Sequence, residues 1–248
     1  MRAHAREKEP TMETYGVKPA TRLESPLATA DRVTAFLRGV YGWMCGGLAT
    51  TALVAFAVAG SPSILRALVT NRLLFFGLLA TELGLVFYLS ARVSRLAPAT
   101  AAGLFLLYSS LNGVTLSLVL LAYTGESVTN AFVVCAVMFG ALALYGSTTA
   151  RSLAGVGQFA FMGLVGVIVA SVVGLFWHND AMQFLIAFAG VIVFTGLTAW
   201  DAQRLKQMAL ALPDGRVGSY TIVGALSLYL DFINLFLMLL RLLGGRRD

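Results

Sequence analysis

Seven long apolar runs, at 39–60, 73–91, 97–123, 128–150, 152–177, 181–200 and 217–240, leave this chain few ways to fold. A bilayer's hydrocarbon core is about 30 Å thick, and about 20 residues cross it as an α-helix. Lipid offers the backbone no hydrogen-bond partner, so a chain that spans it forms helices or a closed barrel. Barrel strands alternate apolar and polar residues over about 10 positions, and these runs do not. Only 12% of the residues are charged, about half the share in soluble domains. The expectation is an all-α, polytopic membrane protein with seven transmembrane helices.

The punctuation agrees. Pro10, Pro19, Pro26, Pro62, Pro98 and Pro213 all fall in the N-terminal tail, in connectors or at a helix's first turn, where proline's missing N–H costs nothing. Residues 1–38 read as a polar, mobile cytoplasmic tail without the apolar core of a secretory signal. Residues 39–243 read as the membrane domain and 244–248 as a short basic tail. Nine Lys and Arg near span ends lie on the N-terminal side, among them Arg38, Arg151 and Lys206, against five on the other side, among them Arg66 and Arg241. That excess places the N-terminus in the cytoplasm. The net charge of +6 then reads as topology and contact with anionic lipid, not as nucleic-acid binding. Cys45 and Cys135, in the first and fourth spans, point to opposite faces and read as free thiols. Gly42 and Gly46 form a small-xxx-small spacing, which reads as helix packing.

The last run, SYTIVGALSLYLDFINLFLMLL, carries one acid, Asp231, deep inside it. A carboxylate there costs roughly 2.5 to 3.5 kcal/mol on insertion scales, so it marks a functional position with a partner to be found. Gly224, Ser227, Asp231 and Asn234 are spaced three, four and three apart, which sets one polar stripe along the helix. Arg241 continues it. The sixth span ends in TGLTAWDAQRLKQMALAL, and its helical pattern runs on to about Leu212, so Asp201 lies inside the bundle. The connector at 213–218 is centred near 215.5, about 14.5 residues after Asp201 and 15.5 before Asp231. Residues equidistant from the turn of an antiparallel helical hairpin share a depth. Two carboxylates are therefore expected level on neighbouring helices.

Such a pair cannot ionise fully at low cost, so it shares a proton and titrates as a unit. Protonated, it pins the two helices; ionised, it repels itself and attracts a cation. Calcium takes 6 to 8 oxygens, so two carboxylates suit weak capture or passage better than storage. Glu82 breaks the second span, and Arg92 and Arg95 follow it; either arginine could latch onto the acids. Tyr108, Asn112 and Thr115 form a second polar face in the third span, reading first as interhelical hydrogen bonding and second as pore lining.

The segments FLRGVYGWMCGGL, AVMFGALALYG, TGLTAWDAQRL and ALSLYLDFINLFLMLLRLLG resemble the Bax inhibitor-1 family over roughly residues 33–243. The resemblance implies a bacterial inner-membrane protein of seven helices, the last enclosed by the other six. It also implies a pH-sensitive calcium leak governed by a di-aspartyl pair, here Asp201 and Asp231, with transient calcium at those carboxylates. Glu82 matches the family's acid on the second span, and its latch arginine corresponds to Arg92 or Arg95. Ser227 and Asn234 would support the pair. No cofactor is implied beyond calcium as permeant ion; lipid, protons and calcium are the partners. Some bacterial members resemble modulators of a membrane-bound quality-control protease, which is the alternative function. A cell-death role belongs to eukaryotic members and is not carried over.

Other classes fit less well. Intramembrane aspartyl proteases need Gly-x-Gly-Asp at the second acid, where this chain has Leu228, Tyr229 and Leu230 before Asp231; no enzyme is expected. A rhodopsin-like receptor needs a lysine in the last span, which has none. A proton-coupled transporter stays open, though no pair of broken spans marks one. A non-conducting interaction protein, with the acids only locking helices, also stays open.

Overall fold

The computed structural model describes residues 26–177, 179–211 and 217–245. Among them are eight α-helices and no strand: α1 (Pro26–Ala59), α2 (Pro62–Thr70), α3 (Arg72–Arg92), α4 (Pro98–Ala122), α5 (Gly125–Thr148), α6 (Ala154–Phe176), α7 (Asp180–Ala211) and α8 (Val217–Leu243). All but α2 are long and apolar enough to cross a bilayer, and they match the seven runs in order. This is a multi-pass membrane protein.

Two boundaries differ from the sequence reading. α1 begins at Pro26, so residues 26–38, assigned to the polar tail, are helical. Residues 1–25 lie outside the described part. α2 falls within what reads as a connector; at 9 residues it cannot cross a membrane. Asn71 separates it from α3 and caps α3, its side-chain oxygen accepting from the Leu74 N–H at 3.1 Å. Thr124 caps α5 in the same way, accepting from the Ser127 N–H. The start of the C-terminal tail is tied down as well. The Gly245 N–H donates to Ser127 Oγ at 3.0 Å, and the Gly245 carbonyl accepts from the Thr124 N–H.

α8 is the axis of the bundle. Of its most apolar window 72% is buried, against 11% for α3, 17% for α6 and at most 39% elsewhere. A helix apolar on nearly all sides is stable in the middle of a bundle, and Leu226, Leu228, Tyr229 and Met238 accordingly point in different directions into the core. α1, α3, α4, α5 and α7 pack against α8, while α6 packs on α7. The enclosure is thus carried by five helices, with α6 as an outer flank.

Helices approach closely where a side chain is missing, but not at the spacing the sequence suggests. A methyl at Gly42 or Gly46 would meet nothing within 4 Å, whereas one at Gly47 would strike the Phe105 ring. The α1–α4 contact therefore runs through Gly47 and through Gly113, where a methyl would meet the Thr51 carbonyl at 2.6 Å. At the α5–α7 crossing, Gly146 lies directly against the Ala199 carbonyl. Which of 25 glycines faces a neighbour depends on helix rotation, and a four-residue spacing does not fix rotation.

Candidate functional site

α7 and α8 lie side by side, and Asp201 and Asp231 both face one cavity of about 790 Å³. Asp201 stands ten residues, about 15 Å, from the end of α7, and Asp231 about 18 Å from the end of α8. Both lie well inside their helices and are almost wholly buried, 7% and 6% exposed. The hairpin symmetry read from sequence thus brings the two acids together, within one turn of register. Ser227, a turn before Asp231, donates its hydroxyl to Asp201 Oδ2. Residues 212–216, which join the helices, lie outside the described part.

Each carboxylate keeps one buried oxygen, Asp201 Oδ1 and Asp231 Oδ2, without a hydrogen-bond partner. Buried polar atoms are satisfied in most folded proteins, so an orphan asks for a proton, water or ion. Here two orphans belong to adjacent acids beside a cavity. The nearest cation is Arg204, three residues after Asp201 on α7, with Nη1 3.7 Å from Oδ1. That is an ion pair too long for a hydrogen bond. Its side chain is 54% exposed, and such a pair contributes little to stability. The guanidinium also lies over the Trp200 ring, 5.5 Å from its centre.

Arg204 occupies the place expected for Arg92 or Arg95. Both of those are exposed, Arg92 in the last turn of α3 and Arg95 beyond it, and neither lines the acid cavity. The signal for Arg204 was present in Trp-Asp-Ala-Gln-Arg: an acid and a base three apart share a helix face. The expectation favoured the second span because Arg92 and Arg95 lie on the same side as the acids and because the resemblance places a latch there, and nothing local decides between a cation on the same helix and one on a neighbour.

Glu82 reaches the same cavity from α3. It is 7% exposed and accepts from the Thr115 hydroxyl at 2.6 Å. Asn234 lines the cavity one turn past Asp231 and donates to the Leu230 carbonyl at 2.8 Å. Every acid singled out in the spans is therefore in one place. Among the described residues no group of three or more His, Cys, Asp and Glu is arranged to hold a metal ion, although three carboxylates line this one cavity. His178 lies outside the described part.

Behind Glu82 runs a buried polar chain that the sequence reading saw in part. Tyr229 on α8 hydrogen-bonds Thr51 on α1 at 2.6 Å and Asn112 on α4 at 3.1 Å. Thr51 donates to the Ser109 carbonyl at 2.8 Å. Asn112 and Thr115 do bond between helices, as their face suggests. Tyr108 instead packs its ring edge-on against Tyr229, 5.8 Å centre to centre, and lines the cavity. Thr51 and Tyr229 were missed because neither belongs to a polar stripe at helical spacing: Thr51 follows Thr50 directly and Tyr229 stands among leucines.

The polar stripe of α8 does not continue as an open path. One turn past Asn234 comes Met238, which packs so closely on α7 that a methyl at Gly190 would meet its Cγ and Sδ at 2.7 Å. Beyond it a second cavity, about 770 Å³, is lined by Tyr123, Asp180, Gln183 and Arg241. Along α8, Met238 lines the acid cavity on the side toward this vestibule. At the other end Gln203 holds the α5–α6 connector to α7: it accepts from the Leu153 N–H and donates to the Arg151 carbonyl, both at 2.8 Å.

Comparison with known proteins gives the same assignment over nearly the whole chain. Residues 33–248 match the family described as Inhibitor of apoptosis-promoting Bax1. The chain is 46% identical over 215 residues to the inner membrane protein YbhL of Escherichia coli K12, covering 86% of this chain and 92% of that one. It is 40% identical over 221 residues to an uncharacterized protein of Deinococcus radiodurans, 89% of this chain and 94% of the relative. It is also 37% identical over 216 residues to an uncharacterized membrane protein of Streptococcus pyogenes serotype M1, 86% and 93% of the two chains.

Proposed function

Because the chain belongs to the Bax inhibitor-1 family, and because its core holds two adjacent acids with unpartnered oxygens, we propose that it is a pH-sensitive cation leak with calcium as permeant ion. The carrying observation is the pair of orphan oxygens, Asp201 Oδ1 and Asp231 Oδ2, beside one cavity inside the bundle. A proton on the pair supplies a donor between the carboxylates and holds α7 to α8. Without it, two like charges in low dielectric repel, and a cation relieves them. Proton and calcium therefore compete for one place, and the helices that carry the acids are the ones that must part.

On this reading the conformation described is the closed one. Met238, seated on Gly190, separates the acid cavity from the vestibule at Tyr123 and Arg241. Conduction requires α7 and α8 to separate enough to move Met238, which links the carboxylates to the plug two turns away on the same helix. Arg204, half exposed and paired loosely with Asp201, is the latch: it neutralises the pair at rest and can swing to solvent. The protein works as an ion pathway, not as an enzyme. The inner-membrane name of YbhL supports the same membrane here, and the excess of Lys and Arg on the N-terminal side supports a cytoplasmic N-terminus, with the Tyr123–Arg241 vestibule outside.

The test is calcium uptake into proteoliposomes from about pH 5 to pH 8, comparing the wild type with Asp201→Asn and Asp231→Asn. A pH-dependent flux that either substitution flattens is expected. Flux no greater than in empty liposomes at every pH, from protein shown to be folded and inserted, overturns the leak and leaves the modulator of a membrane protease or another partner.

A further inference from the structure

The acid cavity is not sealed from lipid. Its walls come from α3 and α6, the two spans with the least buried surface. Several lining residues, Leu83 and Phe87 on α3 and Phe161 and Ile168 on α6, are more than half exposed on the bundle's outer surface. The cavity therefore opens sideways, between two helices that lean on α4 and α7, toward the acyl chains. An aqueous pore needs no apolar side door.

The chemistry of the walls selects an occupant. Three carboxylates, Glu82, Asp201 and Asp231, line the space against one cation, half-exposed Arg204. The rings of Phe87, Tyr108, Phe161 and Trp200 stand around them. Aromatic faces beside carboxylates recognise cations whose charge is spread under apolar groups. The volume, about 790 Å³, lies within the range of small-molecule pockets. A phospholipid headgroup does not suit the site, because its phosphate would face three carboxylates with one half-exposed arginine to offset them. A cation whose charge already travels inside an apolar shell has no such penalty.

We propose that the cleft between α3 and α6 is a binding site for lipophilic organic cations, which enter from the bilayer and place their charge at Asp201 and Asp231. The proposal shares with the leak reading only the identity of the charged end and requires no ion flux, so either can fail alone.

The full-length protein in nanodiscs of zwitterionic lipid is dialysed at or above neutral pH against tetraphenylphosphonium, and in parallel against tetraphenylborate, which has the same shape and the opposite charge. Saturable binding of about one tetraphenylphosphonium per chain above that of empty nanodiscs is expected, without saturable tetraphenylborate binding. Asp231→Asn should weaken it at least about tenfold, the scale for removing one partner of a buried charge contact. Ser171→Trp, which fills the cleft from α6 and leaves every carboxylate in place, should weaken it comparably. Both variants are first shown to be monodisperse and folded. Non-saturable binding, equal uptake of both ions, or full affinity in either variant overturns the proposal; full affinity in Ser171→Trp alone does so by placing the cation elsewhere.

Discussion

Removing one hydroxyl from the bundle's centre tests the account of how α8 is held. Tyr229 is fully buried, and two features share its side chain. The ring makes edge-on contacts with Phe105 and Tyr108, at 5.7 and 5.8 Å, and the hydroxyl bonds Thr51 and Asn112. Thr51 spends its one proton on the Ser109 carbonyl, so it can only accept from Tyr229. Tyr229 also has one proton, which serves Thr51 or Asn112 but not both. If it goes to Thr51, the Asn112 amide must turn its NH2 toward Tyr229. Tyr229→Phe thus removes about two hydrogen bonds and no packing. Hydrogen bonds between membrane helices average about 0.6 kcal/mol and reach about 1.7, so the expected cost is about 1 to 2 kcal/mol. Tyr229→Ala adds the lost ring contacts and a cavity, about 3 to 5 kcal/mol for an aromatic-to-alanine change. Reversible unfolding in mixed micelles, followed by helix content, separates them. The Phe variant should shift the unfolding equilibrium about 5- to 30-fold and the Ala variant far more. If Phe costs as much as Ala, or nothing, the central role of the hydroxyl is wrong.

Other expectations follow from the same geometry. Met238→Ala should raise calcium flux at every pH, because the side chain that separates the two cavities is shortened; unchanged flux with folded protein places the gate elsewhere. Arg204→Gln should alter the pH response of that flux, while Arg92→Gln and Arg95→Gln leave it unchanged; the reverse pattern restores the latch to the second span. Gly146→Ala, which sets a methyl against the Ala199 carbonyl, should destabilise by about 1 to 3 kcal/mol in the same unfolding assay, whereas Gly140→Ala, with nothing within 4 Å, should be nearly neutral. Cys135, buried in the bundle, should react with a maleimide only after unfolding; labelling of it in the folded protein contradicts the rotation of α5.

Much of this protein was determined by its sequence alone, because a bilayer accepts so few backbone conformations. Seven apolar runs become seven helices wherever they lie, and two acids nearly equidistant from one turn meet because a hairpin of regular helices has no other register. Glu82, Ser227 and Asn234 came with them, since a polar group at mid-span must be turned inward. What the tertiary structure decided is rotation and neighbourhood. Rotation chose Gly47 over Gly42 and Gly46 as the contact in α1, and let Thr51 and Tyr229 find each other across 178 positions. Neighbourhood left α6 on the outside, opened the acid cavity between α3 and α6, and gave Asp201 its cation from Arg204. Lipid is as apolar as a leucine side chain, so hydropathy marks which residues are in the membrane and is silent on which way they face; packing between helices alone settles that.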